Sequence, residues 1–355
     1  MRARIRQNKA FWPRPRVCLP HCGPFPCSNS RNLILKLCIF GAGAVGGHFA
    51  ARLAAAGNDV SVVARGPNLA AIRARGLLLH SGDKRIAGRV RASDNPAELG
   101  AQDFIIATLK ATSLASFAQG VTPLLGPDSA VVFAQNGLPW WYAQGLSASR
   151  PRPPDLSRLD PGGVLARSIA PERVIGSVIF SANTVIEPGV ISNATPENNC
   201  LSLGETDDRP SARLDALRAV LIGAGIDSPP IADIRTVVWH KLLLNLMSAV
   251  AALTGQPGKI MMADPEVSAV IHALIREGIA IGAAHGIALE PVMPNTSMHK
   301  PSILQDYEMG RPMEVEALLQ APLAFARVAG VAAPMLQVVA ALVAHRAVAK
   351  GLYQH

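Results

Sequence analysis

No acidic residue precedes Asp59. Residues 1–36 carry Arg2, Arg4, Arg6, Lys9, Arg14, Arg16, Arg31 and Lys36, so eight of the nine net positive charges lie in this leader and about +1 is left for the rest. A body so close to neutral lacks the electrostatic footprint of a DNA- or RNA-binding protein. Aromatic residues are scarce, at 5%, and alanine is abundant, which points to helices packed through small side chains. Long apolar runs are missing too. The best, Leu242 to Leu253 beside Lys241, has 12 residues. A membrane span needs about 18, so this run reads as a buried helix and no membrane partner is expected. The five cysteines form no disulfide framework. Cys18, Cys22 and Cys27 crowd around His21 in the leader, without the spacing or second ligand pair of a metal site. Cys38 lies in an apolar strand pattern and Cys200 at a polar-to-apolar transition. This usage fits an intracellular enzyme, with a cytoplasmic location and no metal expected. No internal repeat is visible.

The leader is unusual in itself. It contains five prolines before residue 33, shows no hydrophobic period, and lacks the apolar stretch of about 7–15 residues that a secretory signal requires. Its arginine content resembles a transit peptide, but the prolines spoil an amphipathic helix. Residues 1–34 are expected to be a disordered tail, or sequence upstream of the true start, because a segment so biased cannot bury enough surface to order itself.

The 355 residues suggest about two domains at ~150 residues each. LKLCIF (35–40) is an apolar run ending at Gly41, as in a buried parallel strand. A helical pattern over 45–56 stops at Gly57-Asn58, and DVSVVAR (59–65) is a second strand. DFIIATLK (103–110) and AVVFAQNG (130–137) repeat the theme, so the first half reads as a doubly wound, mostly parallel α/β sheet. Residues 145–163 form a Pro-, Gly- and Ser-rich excursion. RVIGSVIFSA, GVISNA and CLSLGE are strand-like and are expected to finish the sheet. From Ser211 the pattern becomes helical. The expected division is therefore 35–210 for the nucleotide-binding domain and 211–355 for a helical one.

Gly41, Gly43 and Gly46 have the G-x-G-x-x-G spacing, in the sequence Gly41-Ala42-Gly43-Ala44-Val45-Gly46, between a strand and a helix. In that context the first glycine makes the turn, the second admits a pyrophosphate, and the third lets helix and strand approach. The phosphates rest on free N–H groups of the helix N-terminus. The second strand ends in Ala64-Arg65, with no carboxylate to accept from a ribose 2′-OH. An arginine fork binds a 2′-phosphate instead, so NADPH is the expected cofactor. Ligands of such sheets lie beyond the carboxyl ends of the strands. Lys110 and Asn136 stand at two of those ends. In the helical half, Lys241 and Asn245 are four apart and share one face of an otherwise apolar helix. A buried lysine is costly unless used, and one with a lowered pKa serves as a general acid. Glu314 and Glu316 open another helix, where the helix dipole also favours acids.

Together these residues resemble the ketopantoate (2-dehydropantoate 2-) reductase family over about residues 36–345. The resemblance rests on GAGAVGG, the ATLKA strand end, AQNG, Trp239-x-Lys241-Leu242-x-x-Asn245, and SILQDYEMGRPMEVEAL. It implies an N-terminal Rossmann domain, an all-α C-terminal domain of the 6-phosphogluconate-dehydrogenase-like type, and a site in the cleft between them. It implies reduction of ketopantoate to pantoate by NADPH, on the route to pantothenate. By position, Lys241 matches the proton-donating lysine and Asn245 a substrate-binding asparagine. Glu314 matches the glutamate near the reacting groups, either anchoring a substrate hydroxyl or orienting the lysine, and contacting the cofactor. Ser302 matches a substrate-holding serine, Lys110 and Asn136 match cofactor and substrate contacts, and Arg65 the 2′-phosphate arginine.

The chain departs from the pattern in places. Ala249 stands where the family has a second asparagine two turns after the lysine, and a further asparagine is replaced near Lys259. Losing a substrate hydrogen bond costs roughly 1–3 kcal/mol if the partner stays buried. Weaker binding, or a different 2-oxo acid, is the corresponding expectation. The Trp140-Trp141 pair and the 145–163 insert also exceed the minimal pattern and bear on pocket shape. A non-catalytic dinucleotide sensor is the third reading, but a sensor needs only the glycine loop, not Lys241, Asn245, Ser302 and Glu314 together. A homodimer is among the expectations, with nothing in the sequence to decide it.

Overall fold

The computed structural model describes residues 35–293 and 297–354. The leader, with Cys18, His21, Cys22 and Cys27, lies outside the described residues. In chain order the strands are β1 (Lys36–Phe40), β2 (Asp59–Val63), β3 (Leu77–Ser81), β4 (Lys84–Gly88), β5 (Arg91–Ser93), β6 (Gln102–Ala107), β7 (Leu125–Phe133), β8 (Val174–Phe180), β9 (Asn183–Glu187), β10 (Val190–Asn193) and β11 (Cys200–Glu205). The helices are α1 (Ala44–Ala55), α2 (Gly66–Arg75), α3 (Leu114–Val121), α4 (Val164–Ser168), α5 (Ala212–Gly223), α6 (Ile234–Thr254), α7 (Gly258–Ala263), α8 (Pro265–Ala284), α9 (Ser302–Glu308), α10 (Ala321–Val328) and α11 (Pro334–Ala349).

Seven strands form the main sheet in the order β11-β8-β7-β6-β1-β2-β5, all parallel except β11. The chain winds outward from β1 on one side, then returns to β6 on the other, which creates a switch point at their carboxyl ends. The register makes this a level edge. Phe40 lies beside Val63 and Ala107, and Ala107 beside Phe133. Gly41, Ala64-Arg65, Thr108-Leu109-Lys110 and Gln135-Asn136-Gly137 therefore leave the sheet along one rim.

β8 and β11 complete this sheet as expected, but GVISNA does not. Its strand β10 pairs in parallel with β3 and antiparallel with β9, in a second sheet ordered β4-β3-β10-β9. The reason is steric fit. Ile191 is buried against α1, where a Cβ on Gly47 would come within 2.5 Å of its Cδ1. Leu214, Leu217 and Leu221 of α5 share a core with Leu37 and Ile39. α5 thus packs with the sheet, while α6 packs in the other core.

The opposite sheet face, with Cys38 and Phe40, is continuous with the helical half through Trp239, Leu242 and Leu246 of α6. α6 and α8 run for 21 and 20 residues, long and apolar enough to cross a membrane by length and composition. More than half of α6 is buried in this core. Its root is fixed by Arg235, which is fully buried. The guanidinium donates to the carbonyls of Tyr142 and Thr206 at 2.9 Å and of Gln144, and lies over the rings of Trp141 and Tyr142 at 5.9 and 5.5 Å.

His48 of α1 is fully buried, and neither ring nitrogen has a partner among the described residues. Burial, with Arg52 nearby, pushes its pKa down to about 3. The unfolded chain protonates this ring near 6.5, so between those values the unfolded state binds the extra proton and stability falls as pH drops. The loss between pH 7 and pH 4.5 is about 2–3 kcal/mol. Denaturant unfolding at both pH values should show a pH slope smaller by that amount in His48→Phe. An unchanged slope would mean the histidine is not held neutral.

Candidate active site

The glycine loop is shaped by contact. Gly41 adopts φ +106, and a Cβ there would stand 2.7 Å from Leu109 Cδ2. A Cβ on Gly46 would run into the Gly41 carbonyl and the Thr108 hydroxyl, and that hydroxyl donates to Gly41 O at 2.6 Å. Gly43 differs: a Cβ there would meet nothing within 4 Å. Gly41 and Gly46 thus hold strand and helix together, while Gly43 faces open space. The first turn of α1 has neither an acid nor a side-chain cap, so its N–H groups are available to an anion.

This loop lines a cavity of about 670 Å³. Ala42, Gly43 and Arg65 are in its lining. Arg65 is exposed, and its guanidinium has no hydrogen-bond or ion-pair partner among the described residues. Asn68 ties the loop to its neighbours, donating to Ala42 O at 2.6 Å and accepting from Gly189 N at 2.8 Å. Sequence reasoning missed Asn68, because the hairpin it holds is 121 residues away. A dinucleotide fits these residues: free N–H groups, an uncluttered Gly43, and an arginine where the ribose 2′ position is expected.

The second group gathers around Glu314. It is buried, accepts from Ala111 N at 3.1 Å and is hydrogen-bonded by Asn136. Burial raises its pKa, against the pull of the Ala111 N–H and of Lys110. Lys110 is ion-paired with Asp306, a buried carboxylate that also holds Arg311 at 3.0 Å. Structure thus brings Lys110, Asn136 and Glu314 together, and adds Asp306, which the sequence reading left without a role.

A π turn at Glu316–Gln320 fixes this meeting. Ala321 N–H bonds to Glu316 O, and position 322 is proline, without an N–H. The Ala317 carbonyl instead accepts from Leu138 N at 2.9 Å, in the Rossmann half. Gly137, at φ +82, passes so close that a Cβ would lie 2.6 Å from Ala317 O.

On α6, Lys241 lines a small cavity with Gln135, Gly137 and Ser177. Its Nζ stands 5.0 Å from the centre of the Phe180 ring. Burial lowers its pKa to about 8. Asn245, one turn on, is buried, and its Nδ2 has no partner among the described residues. The loop 135–137 therefore shares a cavity with the lysine and, through Asn136, bonds to the glutamate. Ser302 is exposed at the first turn of α9, and its hydroxyl has no hydrogen bond among the described residues. Ala249 is fully buried and brings no polar atom to the cleft. Among the described residues no cluster of three or more His, Cys, Asp or Glu suits a metal.

Two family models match this chain: "Ketopantoate reductase PanE/ApbA" over residues 37–140 and "Ketopantoate reductase PanE/ApbA C terminal" over residues 233–347. The chain belongs to the ketopantoate reductase family. A 2-dehydropantoate 2-reductase of Mesorhizobium japonicum is 40% identical over 90% of this chain and all of its own length. The structure of a 2-dehydropantoate 2-reductase from Geobacter metallireducens is 27% identical, with a TM-score of 0.74 over 87% of this chain and 99% of that one. A D-mandelate dehydrogenase shares the fold at 18% identity and a TM-score of 0.76, covering 90% of this chain and all of that one. The architecture is that of ketopantoate reductases, a Rossmann half joined to a helical half of the 6-phosphogluconate-dehydrogenase-like type. The chain is an oxidoreductase that reduces 2-dehydropantoate with a nicotinamide dinucleotide cofactor.

Gly137→Ala should force the two halves of this ketopantoate reductase apart at Asn136 and Glu314. The expected result is a fall in kcat of about tenfold or more, since small displacements of reacting groups are that costly. Gly76→Ala is the control: its Cβ would meet the Gly88 carbonyl at 2.7 Å, also at positive φ, in the turn between α2 and β3. It should lose comparable stability and keep its kcat. Equal kcat in the two variants would show that the Ala317 contact does not position the site.

Proposed function

We propose that the reductant is NADPH, that Lys241 donates the proton in the reduction of 2-dehydropantoate to pantoate, and that the reaction serves pantothenate synthesis. The observation that carries this reading is Lys241 itself: an ammonium lowered to about 8, one helical turn from an unpartnered buried amide. The chemistry supplied by the bound cofactor is hydride delivery to the ketone carbon. Lys241 polarises the carbonyl and protonates the alkoxide as it forms. Asn245 donates its free amide hydrogen to the substrate, and Asn136 orients substrate and cofactor from the strand end. Glu314, held at Ala111 N, anchors a substrate hydroxyl or orients the lysine, and touches the cofactor with Lys110. Ser302 holds the substrate carboxylate side. Gly41 to Gly46 carry the pyrophosphate and Arg65 the 2′-phosphate.

Ala249 favours a second reading, in which another 2-oxo acid is the preferred substrate, since a position two turns beyond Lys241 offers no hydrogen bond. A steady-state panel of 2-oxo acids separates the two. A cytoplasmic homodimer without nucleic-acid or membrane partners belongs to the same proposal. Free Cys38 and Cys200 and the near-neutral body support the location and the missing nucleic acid. Exposed Val338, Leu342 and Val348 along α11 support the dimer.

Lys241→Ala should abolish turnover while the Kd for NADPH stays within a few-fold of the parent. Unchanged turnover would remove the lysine from the mechanism. Arg65→Asp should reverse the preference between NADPH and NADH, with a loss of about 1.5–3 kcal/mol in NADPH binding. An unaltered ratio of the two KM values would make Arg65 a solvent-facing residue only.

A further inference from the structure

The cofactor cavity has a cation from the helical half in its lining. Arg311, from the turn after α9, lines it together with the glycine loop. Its side chain is 46% exposed. One end is fixed: Nη2 lies 3.0 Å from Asp306 Oδ1, and Arg311 N donates to Asp306 O at 2.8 Å. Nε and Nη1 have no partner among the described residues.

The charge balance around the loop makes this arginine significant. The first turn of α1 bears no cationic side chain, and Arg52, in its last turn, donates to Ser81 and Gly225. Arg65 stands at the end of β2, by the expected 2′ position. Lys110 is paired with Asp306. From the Rossmann half, Arg65 is the one cation among the described residues that line the cavity. The carboxylate lining the cavity, Glu187, is paired with Arg75 at 3.5 Å. Asp306 is shared between Lys110 and Arg311, with Glu314 also near Lys110, so the guanidinium keeps nitrogens free for an anion.

We propose that Arg311 is a phosphate ligand of the cofactor site, donating from the helical half to the pyrophosphate, with Asp306 holding the guanidinium in place. This rests on the reading that a nicotinamide dinucleotide occupies the loop. A planar fork with one nitrogen on a carboxylate and two free suits bidentate contact with phosphate oxygens. It also bridges the halves, so that binding the cofactor tightens the cleft.

Calorimetric Kd values for NADPH and NADH, with the parent, Arg311→Ala and Arg311→Lys, test this. Arg311→Ala should weaken both cofactors by about tenfold or more, with the NADPH-to-NADH ratio unchanged, because both carry the pyrophosphate. Arg311→Lys should recover part of the loss, and its thermal midpoint without cofactor should match the parent. Kd values within twofold of the parent for both cofactors would overturn the proposal. Loss for NADPH alone would overturn it too, by moving the contact to the 2′-phosphate. If the parent binds neither cofactor, the dinucleotide reading and the Arg311 assignment fall together; if it binds both and Arg311→Ala binds equally well, only the latter falls.

Discussion

A buried arginine sets where the chemistry takes place. Arg235 has no exposed surface, yet its charge is matched by three backbone carbonyls, by Asp208 at 3.5 Å, and by the faces of Trp141 and Tyr142. Removing partners from such a charge costs about 3–5 kcal/mol, so one arrangement is strongly favoured. All of those partners belong to the chain before α6, in segments 141–144 and 206–208. The helix rises ~9 Å over the six residues from Arg235 to Lys241. Apolar contacts alone would let a helix this greasy slide or rotate. The guanidinium gives α6 a register, and that register brings Lys241 to the strand ends.

The cleft is closed from the other side by the segment running from Asp306 to Ala317. Its contacts are polar and specific: Asp306 with Lys110, Glu314 with Ala111 N and Asn136, and Ala317 O with Leu138 N. Burial acts on the two reactive groups in the same sense, lowering Lys241 and raising Glu314, so both move towards their neutral forms. A lysine near 8 still carries its proton at neutral pH and releases it more readily than an ordinary one. The scaffold thus supplies an acid poised for the reaction, in a place where its hydrogen-bonding neighbours already stand.

Much of this was legible from residues alone, for identifiable reasons. β1, β2, β6 and β7 are buried on both faces, so they appear as apolar runs ending in polar rim residues. Lys241 and Asn245 stood out because polar residues four apart are conspicuous in an apolar helix. β3, β4 and β5 were not legible: they are short, and β4 is mostly exposed. The partner of β10 is β3, more than a hundred residues away, and no local pattern names it. Asn68, Gly137 and Arg311 escaped for the same reason. Their significance lies in one contact each with a distant segment, and an asparagine, glycine or arginine in a loop looks ordinary until that segment arrives. Ala249 was legible only against the family pattern, where a methyl group stands in place of an amide.

The proposed role of Lys241, a proton donor desolvated on a pinned helix, is tested most directly by the dependence of kcat/KM on pH, with 2-dehydropantoate and NADPH. The expected profile has a descending limb with a midpoint near pH 8, falling about tenfold per pH unit above it, as the ammonium of the free enzyme loses its proton. A profile that stays level to about pH 10, the ordinary lysine range, would contradict it.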